Sequence, residues 1–274
     1  MFLSERILRR LTQIPGARSL WYRFPVGPLD LRVRYGISAR PHYAYGVYTA
    51  ANLAAKLGIP KISVVEFGVA GGRGLLALES IATEVSRALG VKIAVYGFDS
   101  GSGMPAPMDY RDLPYVWGEG FYQMDQAALK ASLKYATLIL GDVASTVPAF
   151  LETPDLAPIG FVAFDLDYYS STKVALQLFE DEPESRLPRV YCYFDDIRWP
   201  EIACHNEYVG ELCAIREFNC EHTYMKISPI HMFSHTRPHP APWNEQMYVL
   251  HDFQHSLYCV NITPKDASHT QLPI

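Results

Sequence analysis

Apolar residues at Leu75, Leu78, Ala82, Val85 and Leu89 recur at spacings of three and four, which predicts a helix over 75–89 with one buried face. Just upstream, residues 62–67 form a β-branched, apolar run of strand length. The two are joined by Glu66-Phe-Gly-Val-Ala-Gly-Gly-Arg-Gly74. Further runs predict strands at 93–98, 137–140, 160–164 and 190–194, with helices at 45–57, 125–135, 147–151 and 172–179 between them. Strands alternating with helices imply an α/β fold, a doubly wound parallel sheet of about seven strands. After Trp199 the pattern changes to one helix at 207–218 and two strands near 223–227 and 246–250, the last predicted to run antiparallel.

This pattern divides the chain into a helical, Pro/Gly-rich appendage over 1–44, a main domain over 45–262 and a tail over 263–274. The appendage has no core of its own, so a second copy of the chain is a candidate for it to pack on. Within the main domain, residues 100–124 carry Gly101, Gly103, Pro105, Pro107, Pro114, Gly118 and Gly120 among Tyr110, Tyr115, Trp117, Phe121 and Tyr122. A long irregular stretch in a compact domain is usually functional, and aromatic content favours a lid over disorder.

A formal charge of −5 argues against a nucleic-acid partner, since phosphate neutralisation needs clustered Lys and Arg. Arg6, Arg9 and Arg10 form the one basic cluster and read as the solvated face of a short helix. No run reaches the length of a transmembrane helix and no secretory leader is visible, so a cytoplasmic location is expected. The five cysteines form no C-x-x-C pair and read as reduced thiols. His231, His235 and His239 recur every four residues, but Pro238 and Pro240 break any helix that would align them, which leaves a polar loop.

Open parallel sheets bind ligands beyond the carboxyl ends of their strands. There the sequence places Glu66 and the glycines after the first strand, Asp99 after the second and Asp142 after the third. Asp165 and Asp167 follow the fourth, and Asp195 and Asp196 the fifth. The glycine turn suits a nucleotide-like cofactor, and a carboxylate at Asp99 suits ribose hydroxyls. Asp167, ahead of Ser170-Ser171-Thr172, reads as a helix cap. If the fourth and fifth strands are neighbours, Asp165, Asp195 and Asp196 converge, and a hard cation with oxygen ligands relieves their repulsion. The turn departs from G-x-G-x-x-G at Ala70 and Arg73, which weakens a dinucleotide reading.

At these residues the chain resembles the class I S-adenosylmethionine-dependent methyltransferases, through Val64-Val-Glu-Phe-Gly-Val-Ala-Gly-Gly72. More narrowly it resembles the macrocin O-methyltransferase family, through Phe98-Asp-Ser100, Gly141-Asp142, Asp165-x-Asp-x-Tyr-x-Ser-Thr172 and Phe194-Asp-Asp196. The likeness covers about residues 45 to 200. It implies a Rossmann-like sheet and methyl transfer from S-adenosylmethionine to a hydroxyl of a small molecule, a sugar or glycosylated metabolite. Glu66, Gly68, Ala70, Gly71 and Gly72 would hold the methionine part. Asp99 and Ser100 would hold the ribose, and Asp142 with Val143 the adenine. Asp165, Asp195 and Asp196 would ligate Mg²⁺ or Mn²⁺. Asp165 or Asp167 would take the proton, with Tyr168 or a histidine of the C-terminal segment as alternatives. Tyr45, Trp117, Tyr168 and Tyr169 are candidates for acceptor contact. Where the family usually has Gly-Gly before its fifth strand, this chain has Leu187-Pro188-Arg189. An NAD-dependent oxidoreductase would give Asp165, Asp195 and Asp196 no role. A catalytically silent binding module should have lost carboxylates or glycines from this rim, and the key ones are present.

Overall fold

The computed structural model describes residues 2 to 263, with residues 2 to 6 described by backbone alone. The tail expected from 263 onward therefore lies, from 264, outside the described residues. In chain order the helices and strands are α1 (Phe2–Leu11), α2 (Ala17–Arg23), α3 (Leu29–Tyr35), α4 (Pro41–Leu57), β1 (Lys61–Phe67) and α5 (Arg73–Leu89). Next come β2 (Lys92–Asp99), α6 (Gln126–Ser132), β3 (Thr137–Leu140), α7 (Val143–Leu151), β4 (Ile159–Phe164) and α8 (Tyr169–Ala175). The chain continues with β5 (Arg186–Phe194), α9 (Gly210–Glu221), β6 (Met225–Pro229), α10 (Phe233–Thr236) and β7 (Met247–Asp252).

The seven strands form one sheet in the order β3-β2-β1-β4-β5-β7-β6. Strands β1 to β5 pair in parallel, whereas β7 runs antiparallel to both β5 and β6. The chain turns to one side of β1 for β2 and β3, and to the other for β4 and β5. That reversal opens a crevice at the carboxyl ends of β1 and β4, where open α/β sheets take their ligands.

Both faces of the sheet are covered. Tyr43, Val47, Ala50, Ala51 and Ala54 of α4 pack with Leu75, Leu78, Ala82 and Val85 of α5 on one side. The other side holds Val147 and Phe150 of α7, Tyr169 and Ala175 of α8, and Cys213, Ala214 and Phe218 of α9. Coverage on both faces explains why β4 (Ile-Gly-Phe-Val-Ala-Phe) has no polar alternation and is buried throughout. At about 1.5–3 kcal/mol per fully buried large aliphatic or aromatic side chain, these two layers supply the driving force of the fold.

Local differences from the sequence reading have physical causes. The helix predicted to reach residue 135 ends at Ser132, because the N–H groups of Lys134, Tyr135 and Ala136 all donate to the Glu79 carboxylate of α5 at 2.6–2.9 Å. The fifth strand starts at Arg186, ahead of the predicted 190. Its pairing jumps from Ile159↔Arg186 to Phe161↔Tyr191, so Leu187-Pro188-Arg189 sit in an irregularity where no ladder bond is required of the proline. The stretch 172–179 begins as α8 at Tyr169 and ends as a tighter 3-10 turn over Leu176–Phe179.

Candidate active site

Gly68 follows β1 with φ +82°, and a Cβ there would lie 1.7 Å from the backbone oxygen of Asp165. Only glycine lets the ends of β1 and β4 approach this closely. Gly74, in the first turn of α5, is bounded by the Glu66 carboxylate, whose Oε1 stands 1.7 Å from where a Cβ would be. Glu66 thus braces the turn from behind. It is buried, accepts a 2.6 Å hydrogen bond from the Tyr43 hydroxyl, and leaves Oε2 without a partner. Burial raises its pKa to about 7, with Tyr43 and Arg40 acting against the rise.

Asp99, at the end of β2, folds its carboxylate back onto the turn. Oδ2 accepts from the N–H groups of Val69 (3.0 Å) and Ala70 (2.8 Å), and Oδ1 accepts from Gly101 (2.7 Å). Of the roughly four acceptor positions of a carboxylate, three are engaged. Ser100 donates to the Gly103 carbonyl at 2.7 Å. Asp142 is the N-cap of α7 and accepts from Ala144 at 3.0 Å.

On the other side of the crevice, ligand oxygens of Asp165, Asp195 and Asp196 all lie within 4.8 Å of one another. They form the single such metal-compatible group among the described residues; the histidines at 231, 235 and 239 form none. Asp165 is held well above the usual carboxylate range by burial first, then by the charges of Asp196 and Asp195. Asp196 is raised likewise, by burial and then by Asp167 and Asp195. Carboxylates crowded this way are short of positive charge. An all-oxygen donor set at this spacing fits a hard divalent cation.

Several residues that orient this trio escaped the sequence reading. The Tyr193 hydroxyl donates to Asp195 Oδ1, and the Tyr193 ring is stacked on His42 at 4.2 Å. His42 itself is pushed down to about 3 by burial and then by Arg40, so it is neutral. Glu211 of α9, fully buried, accepts from the Asp196 N–H at 3.0 Å. Gln246 donates to the Asp195 carbonyl at 2.7 Å. The signal for Glu211 lay only in its being polar within an otherwise apolar segment, and Gln246, next to Asn244 and Glu245, gave none.

Asp167 is not a cap. Its backbone is left-handed (φ +57°), its N–H donates to Asp196 Oδ2 at 2.8 Å, and its carboxyl rises to about 7 through burial and then the charge of Asp165. The cap on α8 comes instead from Asp112, in the middle of the 100–124 segment. This fully buried carboxylate accepts from the N–H (2.8 Å) and hydroxyl (2.9 Å) of Ser170.

These elements enclose a cavity of about 1140 Å³ lined by Gly68, Ala70, Asp99, Ser100, Asp142, Val143, Asp165, Asp167, Asp195 and Asp196. The 100–124 segment contributes Met104, Met108, Trp117, Glu119 and Tyr122 to the wall. The Tyr122 hydroxyl is raised to about 12 by burial and then by the charges of Asp167, Asp196, Asp165 and Asp195. Other predicted positions lie elsewhere. Glu66, Gly71 and Gly72 stand outside the lining. Tyr45 packs on Phe233, Trp243 and Tyr191 against the α4 face of the sheet. Tyr169 donates to Glu217 at 2.6 Å, and its ring lies 4.0 Å from the Arg111 guanidinium. Tyr168 is fully buried with no partner for its hydroxyl.

With this architecture the structure resembles CalS11, a calicheamicin methyltransferase, over 90% of both chains at a TM-score of 0.51 and 22% identity. The fold is that of the class I methyltransferases. At this identity the likeness establishes the methyltransferase fold alone. Weaker likenesses include the O-methyltransferase NovP (TM-score 0.47, 16% identity, 71% of this chain and 80% of that one) and the mycinamycin-pathway methyltransferase MycE (TM-score 0.40, 12%, 74% and 48%). No protein-family pattern matches the sequence, and no curated protein matches it. Among the described residues, no helix of this methyltransferase fold is long and apolar enough to cross a membrane.

Proposed function

We propose that the chain is an S-adenosylmethionine-dependent, divalent-metal-assisted O-methyltransferase acting on a hydroxyl of a sugar or glycosylated small molecule. One spatial coincidence supports this reading: the glycine turn of β1 and the Asp165/Asp195/Asp196 trio open into the same cavity. In this reading Gly68 and Ala70 border the methionine end, Asp99 and Ser100 the ribose, and Asp142 with Val143 the adenine. Asp165, Asp195 and Asp196 hold Mg²⁺ or Mn²⁺.

S-adenosylmethionine supplies an electrophilic methyl group, and a divalent ion lowers the pKa of a hydroxyl that it coordinates. The remaining work falls to the chain itself. In-line displacement needs the acceptor oxygen about 3 Å from the methyl carbon, so rigid placement by the cavity wall contributes much of the rate. Trp117 and Tyr122 line the same cavity, and with a substrate bound they would limit the access of water to it. Asp167 lines the cavity beside the trio and is the residue assigned to take the hydroxyl proton at its carboxylate.

Calorimetry with S-adenosylhomocysteine and with NAD tests the cofactor, and turnover before and after EDTA tests the metal. Asp195→Asn should leave S-adenosylhomocysteine affinity nearly intact while turnover drops about 100-fold or more, the several kcal/mol that a catalytic metal supplies. Full activity after EDTA would remove the metal and leave the cofactor assignment standing.

A further inference from the structure

The cavity wall carries seven carboxylates and, among the described residues, no Lys, Arg or His. On the proposed reading, Asp99 and Asp142 face the nucleoside and Asp165, Asp195 and Asp196 the metal. Asp167 and Glu119 remain, on the acceptor side, together with Trp117, Tyr122 and Trp199. Arg40, whose charge reaches Asp165, lies outside the lining, as does Arg198.

We infer that the acceptor is a glycoside without phosphate, neutral or carrying an ammonium group, and that sugar phosphates and nucleoside-diphosphate sugars are excluded by charge. This rests on the methyltransferase reading and narrows it. Proteins hold phosphate with Arg forks, Lys or free helix N-termini. The wall offers no such side chain, and at each of the two helix starts facing it a carboxylate of the chain already occupies an N–H. The Ser170 N–H of α8 is taken by Asp112, and the Ala144 N–H of α7 by Asp142. An anionic acceptor would therefore meet surplus carboxylates across the cavity, and like charges brought together disfavour binding. An ammonium group, in contrast, would meet Glu119 and the aromatic faces of Trp117, Tyr122 and Trp199, which attract cations.

The test uses the magnesium-loaded chain with S-adenosylhomocysteine bound. It is titrated by calorimetry with p-nitrophenyl hexosides in matched neutral, 2-amino and 6-phosphate forms, and with a nucleoside-diphosphate hexose. The same panel with S-adenosylmethionine is read by mass for a methyl gain. The neutral and amino forms should bind about tenfold or more tighter than the phosphate form, as like-charge exclusion demands. Glu119→Lys should shrink that advantage about threefold or more by reversing one exposed charge, with Glu119→Gln intermediate. Equal or better binding by the phosphate or diphosphate members overturns the inference. So does binding of no panel member while S-adenosylhomocysteine still binds. Failure to bind S-adenosylhomocysteine overturns the methyltransferase reading itself.

Discussion

Glu66 is a buried carboxyl whose two oxygens are unequally served: Tyr43 satisfies one and nothing satisfies the other. Its folded-state pKa is raised from 4.5 to about 7. The folded state therefore binds the proton more tightly than the unfolded state, and the resulting stabilisation is full below 4.5 and lost as pH rises through about 7. Glu66→Gln, neutral at every pH, should gain stability relative to wild type between pH 5 and pH 8; denaturant midpoints at those two values measure it. An unchanged difference would mean that Glu66 is ionised throughout. Tyr193 and Glu211 act on the acidic trio through hydrogen bonds to Asp195 and Asp196. Tyr193→Phe should weaken Mn²⁺ binding about 10–100-fold, the usual effect of losing an outer-shell partner, while S-adenosylhomocysteine affinity stays put. At this scale the sequence disclosed the carboxylates, because strand ends can be counted, and misread Asp167, because its partner Asp196 is remote in sequence. Asp112 was equally invisible as a cap, since it reaches α8 from 58 residues away.

Among the elements, the strand–helix alternation was legible because each helix needs one apolar stripe and each central strand two apolar faces. Helix ends were less so wherever a distant side chain decides them. Glu79 stops α6 by gathering three N–H groups, and these bonds hold its carboxyl below the usual range although burial pushes the other way. With a depressed folded pKa, its contribution is present above the unfolded value and lost as pH falls through the folded one. Glu79→Ala should cost about 1 kcal/mol at neutral pH, the loss of charge-assisted bonds from three partly buried N–H groups, and less in acid. Urea melts at pH 7 and pH 3 distinguish this from a simple packing loss, which would not vary with pH. Composition marked the 100–124 segment as one that lines a cavity, but its attachment was not legible. Asp112 and Arg111 pin its middle to α8 and α9, while Met104, Trp117 and Tyr122 on either side line the cavity. Asp112→Ala should destabilise the fold by about 1–2 kcal/mol as a lost cap, seen as a lowered denaturation midpoint.

Across the whole molecule, the sheet joins a parallel half that carries the cavity to an antiparallel edge that closes it. Arg186 and Asp252 lock that edge, with a 2.6 Å ion pair between side chains that are 4% and 3% exposed. Arg186 also donates to the Asp181 carbonyl at 2.8 Å. Asp252→Ala, leaving a buried guanidinium unpaired, should cost about 3–5 kcal/mol, measured as loss of denaturant stability. A change below about 1 kcal/mol would mean that water replaces the carboxylate. Strand order beyond the fifth strand was not readable in advance, because insertion of β7 between β5 and β6 depends on long-range pairing that leaves no local periodicity.

The 100–124 segment is held to the body near its middle. Leu113 and Asp112, both fully buried, anchor its middle to the body, and the Tyr115 hydroxyl adds a 2.7 Å hydrogen bond to the Ala203 carbonyl. The two flanking arms pair chiefly with each other, through 2.8 Å backbone bonds from Met104 to Phe121 and from Gly120 to Met104. Changes at exposed positions of these arms, such as Met108 or Glu119, should therefore reshape the cavity wall at a cost of about 0.5 kcal/mol or less.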